Sequence, residues 1–125
     1  MLKQILFVGF GGGIGSIFRY MTSYLMVRYY AGVFPLATFL VNITGCFLIG
    51  LFVGLSESYF SINNNLKLLL ITGFCGGYTT FSAFALENIN LLDYNNLFVM
   101  CAYIAASVVV GILAVWAGLG VGTWI

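Results

Sequence analysis

The chain has no histidine, three acidic residues, four basic ones and a single proline among its 125 residues. Each shortage removes a class of function. Without histidine, and with Glu57, Glu87 and Asp93 set at the ends of apolar runs, a triad or paired-carboxylate enzyme lacks its general acid and base. The sequence therefore reads as non-enzymatic. Basic residues spread from Lys3 to Lys67 form no patch, so no nucleic-acid partner is expected. Cys46, Cys75 and Cys101 fall in three separate runs without C-x-x-C spacing, which suits small apolar residues better than metal or redox groups.

What is abundant is apolar. The chain is 62% hydrophobic and 6% charged, with a mean hydropathy of +1.12, more than one soluble core of ordinary size can bury. A membrane protein is implied. At about 20 residues per span the length allows four crossings, and four runs are visible, near Leu2 to Val27, Leu36 to Leu55, Leu66 to Leu86 and Leu97 to Leu119. The segments between them, YYAGVFP, SESYFSINNN and ENINLLDYNN, read as loops that carry Pro35 and the interfacial tyrosines Tyr30, Tyr59 and Tyr94. The opening MLKQILFV has the charge pattern of a signal peptide, but the hydrophobicity continues past Gly15 without an A-x-A site, so a retained first span is expected. Residues 1–125 then form a single four-span transmembrane domain.

The glycines of GFGGGIG do not satisfy G-x-G-x-x-G, and no acid follows about 20 residues later as a dinucleotide loop requires. They fit close helix packing instead. Gly9/Gly13, Gly11/Gly15, Gly50/Gly54, Gly73/Gly77 and Gly118/Gly122 are all G-x-x-x-G pairs. Lys3 and Lys67 fall on one side of a four-span topology and Arg28 on the other, with Arg19 joining it if that side chain snorkels. The positive-inside bias is near zero, as suits insertion in both orientations. Four helices rarely enclose a pathway, and two copies in opposite orientations would supply the inverted symmetry that many transporters carry in one chain.

Polar groups within the spans form three faces. Thr38 and Asn42 are one turn apart in the second span, and Tyr103 and Ser107 have the same spacing in the fourth, continued by Gly111. Phe81 and Phe84 are three apart in the third, with Thr79, Thr80 and Ser82 around them. Singly, each has a packing explanation; together they suggest a lined, uncharged pathway. Halfway along the third run, Gly76, Gly77, Tyr78, Thr79 and Thr80 put weak helix formers in succession. A helix break is expected there, and in an antiparallel dimer two such breaks could meet and turn their carbonyls toward a cation.

The stretches GGGIGSIFRY, PLATFLVNITGCFLIG and above all GFCGGYTTFSAFALE resemble the fluoride channel family called CrcB or Fluc. The resemblance implies an all-α membrane protein with four transmembrane helices per subunit, the third broken mid-membrane, assembled as an antiparallel dual-topology homodimer in the lipid bilayer of the cell membrane. It implies passive, selective export of fluoride. Family roles fall on Phe81 and Phe84 as a box of ring edges, on Asn42, and on Tyr103 and Ser107 as a polar track. With Thr38, Thr80 and Ser82 these make the expected fluoride pathway. The track's third member is commonly a hydroxyl residue and is Gly111 here; TTFSAF stands where TTFSTF is usual. The resemblance also implies a structural sodium ion held by the backbone carbonyls of Gly76 and Thr79. Such a pore must replace the water around fluoride with donors and with positive ring edges, yet release the ion. The rival reading is a proton-coupled exporter of the small multidrug type. It needs an acid buried in the first span, and residues 4 to 27 hold none.

Overall fold

The computed structural model describes residues 1–58 and 62–125; Tyr59, read above as interfacial, lies outside the described residues. Among the described residues four helices are long and apolar enough to cross a membrane: Leu2–Tyr29, Leu36–Ser58, Asn64–Asp93 and Leu97–Trp124. The first is α1 (Leu2–Tyr29) and the second α2 (Leu36–Ser58). The third is composite. It begins as α3 (Asn64–Lys67), widens into a π-helical stretch, Leu68–Cys75, and returns to α-geometry in α4 (Gly76–Tyr78). Thr79 and Thr80 then adopt extended backbone, with ψ of 158° and 115°, before α5 (Phe81–Asp93) resumes. The fourth span is α6 (Leu97–Trp124).

Glycine decides how these helices pair. Gly50 and Gly54 lie against the backbone of Val115, Leu119 and Gly122, and Gly118 and Gly122 lie against Phe47, Leu51 and Leu55. This reciprocal seam makes α2 and α6 the most extensive pair in the molecule. On the other side, Gly11 and Gly15 sit on the backbone of Leu69, Phe74 and Tyr78, while Gly73 and Gly77 sit on Val8 and Gly12. A side chain at any of these positions would hold the backbones apart, which is the physical reason for small residues at such crossings. Gly9 and Gly13 face open space, so of the two glycine faces on α1 one is used within the subunit. Among the described residues the largest fully buried side chains are Val41 of α2 and Tyr103 of α6.

The segment ENINLLDYNN is not the loop expected from its composition, because α5 continues through it to Asp93. Asn88, within it, is buried and its Nδ2 donates to the Phe84 carbonyl at 2.8 Å, so a polar residue here does not mean a loop. The helix ends at Asn95, whose φ of 57° is left-handed. The Asn96 amide donates to the Leu91 carbonyl and the Asn95 amide to Leu92, a Schellman ending that asparagine accepts better than most residues. Tyr30 and Tyr94 cap α1 and α5 at their C-terminal ends, where interfacial tyrosines belong.

Candidate functional site

The site forms around the two extended residues. Helical backbone that stops inside an apolar segment exposes carbonyls and amides that lipid cannot satisfy, so other elements must supply partners. Asn42 on α2 supplies two. Its Oδ1 accepts from the Thr80 amide at 2.8 Å and its Nδ2 donates to the Thr80 carbonyl at 3.1 Å. One side chain thus pairs with both backbone groups of a single residue, as a neighbouring β-strand would. Both ends of the Asn42 amide are engaged by the Thr80 backbone.

Thr80 also begins α5. Its hydroxyl accepts from the Ala83 amide at 3.3 Å and lies 3.3 Å from the Ser82 hydroxyl, a threonine N-cap. This start places Phe81 and Phe84 on adjoining faces, with ring centroids 5.7 Å apart. Phe84 continues to Tyr103 on α6 at 5.0 Å, and Tyr103 to Phe34 at 5.3 Å, so the rings form a row through the subunit. Phe81 ends that row and is 79% exposed.

Two of the remaining expected residues meet at a third that the sequence reading set aside. Thr38 Oγ1 donates to one oxygen of Glu87 at 2.5 Å, and the Tyr103 hydroxyl donates to the other at 2.7 Å. Glu87 therefore joins α2 to α6 through α5, and is neither a cap nor a loop residue. A signal was present: Glu87 is three residues from Phe84 on what proves to be one helix. Ser107 is half-buried one turn beyond Tyr103 and takes no part in this cluster. Gly111, the next turn, has Cys46 and Ile43 of α2 at ordinary contact distance from an added Cβ.

Arg19 is the second residue missed. It does not snorkel to the end of α1; its Nη1 donates to the Thr79 carbonyl at 3.2 Å. Neighbouring groups of α1 act alike, since the Ser16 hydroxyl donates to the Gly77 carbonyl at 3.4 Å and the Thr22 hydroxyl lies 3.3 Å from that of Tyr78. The Gly76 carbonyl differs. The Thr80 amide, its donor in a continuous helix, is turned to Asn42, and the Gly76 Cα faces open space.

With this geometry in view, comparison with known proteins is informative. The family described as "CrcB-like protein, Camphor Resistance (CrcB)" matches residues 6–119. The chain belongs to the CrcB family. Among relatives, a protein of Flavobacterium psychrophilum named "Fluoride-specific ion channel FluC" is 49% identical over 118 residues, covering 94% of this chain and 95% of the relative. One of the same name from Azobacteroides pseudotrichonymphae is 48% identical, with 94% of each chain covered. Another from Allorhizobium ampelinum is 41% identical over 124 residues and 99% of each chain. This CrcB-family chain is a multi-pass membrane protein, with four spans built as described above.

Proposed function

We propose that the protein is a fluoride-selective channel, which passively exports fluoride across the cell membrane. The observation that carries the reading is the junction at Thr80, where Asn42 and the Thr80 N-cap together fix the start of α5 and aim Phe81 and Phe84. Relatives that match nearly the whole chain are named for this ion. Ring edges carry partial positive charge and can hold a small anion without the tight grip of a lysine. Hydroxyls of Thr38, Thr80, Ser82, Tyr103 and Ser107 add dipoles along the same route. An anion leaves a negative interior with a drive of about 2.3 kcal/mol per 100 mV, so no energy-coupling part is needed.

The pathway is completed by a second copy in antiparallel orientation, in a bilayer. Support comes from surfaces that the subunit leaves open: Gly9, Gly13 and Gly76 meet nothing, and Phe81 is unaccompanied on its outer side. The interruption at Thr79 and Thr80 lies halfway along a 30-residue span, which supports a break at mid-membrane. A structural sodium ion fits the carbonyls of Gly76 and Thr79. The Gly76 carbonyl has lost its helical donor to Asn42, and the Thr79 carbonyl retains one lone pair beside Arg19. Both are hard oxygen donors of the kind that suit such a cation. The ion would join two carbonyl ends across the dimer axis and has no part in conduction.

Efflux from liposomes, followed with fluoride-selective and chloride-selective electrodes, tests the reading. Fluoride is expected to leave rapidly while chloride stays; equal release of both, or of neither, counts against it.

A further inference from the structure

We propose that Arg19 is a positioning residue for the ion pathway: from α1, its guanidinium and the Ser16 hydroxyl hold the carbonyl end of α4 and so fix the interruption on which Asn42 and Phe81 depend. The assignment rests on the channel reading above for its functional consequence, and on geometry for its substance.

A guanidinium within a span is costly unless its donors are used. Arg19 lies ten residues before the end of α1 at Tyr29, about 15 Å along the axis at 1.5 Å per residue, and it reaches Thr79 rather than the interface. The acids do not account for it. Both oxygens of Glu87 accept hydroxyls, and Glu57 and Asp93 lie in the last turns of α2 and α5.

What Arg19 meets is the C-terminal end of a helix, where carbonyls lack donors and the dipole favours positive charge. The Cys75 carbonyl is served locally, by the amide and hydroxyl of Thr79. Gly77 and Thr79 are served from α1, by Ser16 and Arg19. Ser16, Arg19 and Thr22 are spaced by three, so one stripe of α1 meets the whole end of α4. On the far side Asn42 grips the next peptide, at Thr80. The two extended residues are therefore held from both flanks, and removing Arg19 leaves the Thr79 carbonyl without this donor while Asn42 alone holds the Thr80 backbone.

Arg19→Ala, in full-length protein reconstituted in liposomes, is expected to lower fluoride efflux about tenfold or more, the scale set by one charge-assisted hydrogen bond. Millimolar guanidinium should restore much of the rate and tetramethylammonium should not. Arg19→Lys keeps the charge without the planar fork and should fall between. Should Arg19→Ala fail to fold, Arg19→Lys and Ser16→Ala decide: lowered rates support the assignment, and wild-type rates in both overturn it. Wild-type efflux in folded Arg19→Ala, or a loss that guanidinium does not relieve, also overturns it. The carbonyl ¹³C signals of Thr79 and Thr80, read by solid-state NMR, are independent of transport. They should shift in Arg19→Ala and return with guanidinium; unchanged signals reject the assignment even if the wild-type protein carries no fluoride.

Discussion

Asn42 bonds to both the amide and the carbonyl of Thr80, and the two bonds can be tested separately. Asn42→Asp keeps the acceptor for the Thr80 amide but removes the donor to the Thr80 carbonyl, and brings a carboxylate toward an anion route. Fluoride efflux is expected to fall about tenfold or more; an electrode trace like that of wild type would mean that the Thr80 carbonyl needs no donor. The two rings differ in what they hold. Phe81 is largely exposed in the subunit, whereas Phe84 lies between Phe81 and Tyr103. Phe81→Ile should therefore cut efflux and leave the thermal midpoint unchanged, while Phe84→Ile should cut efflux and also reduce stability, by about 1 kcal/mol for a lost ring contact, and so lower the midpoint. Equal midpoints for Phe84→Ile and wild type in scanning calorimetry would separate Phe84 from the packed row.

The third span carries the most informative packing at the scale of elements. An added Cβ at Gly45 would meet the Thr79 methyl, and one at Gly77 would meet the Gly12 backbone, whereas Gly76 has room. Gly45→Ala should push Thr79 out of place and reduce efflux, and Thr79→Ser, which removes the methyl but keeps the hydroxyl bond to Cys75, should restore it in the double variant. Additive losses would show that the two sites do not touch. Gly77→Leu overpacks α1 and should destabilise the subunit by about 1–3 kcal/mol; Gly76→Leu should fold and instead weaken association. Much of this was legible in the sequence. Paired glycines at a spacing of four located the seams. The π-helical stretch was not, because LLLITGFC has no feature that distinguishes it from an ordinary apolar helix. Nor was α5 beyond Glu87, since asparagines and an acid following an apolar run suggest a loop. Arg19 and Glu87 were misplaced for the same reason: a charge near a span end looks interfacial unless a carbonyl or hydroxyl from another element is seen to meet it.

Taken whole, the subunit is two glycine-sealed helix pairs, α2 with α6 and α1 with the third span, and its surface is apolar almost everywhere. With Arg19 turned inward, the charges left to set orientation are Lys3 and Lys67 against Arg28, a bias too small to favour one insertion strongly. C-terminal reporter fusions should show both orientations, and added lysines in one loop should select between them; a single orientation in the unmodified chain would exclude the antiparallel pair. The central claim is passive conduction, and it is tested most directly by fluoride efflux from liposomes at a potassium-diffusion potential with no pH gradient. Efflux should begin as soon as the potential is set, follow its sign and magnitude, and be indifferent to an imposed proton gradient. Efflux that appears only with a proton gradient would contradict the account and return the protein to the class of coupled exporters.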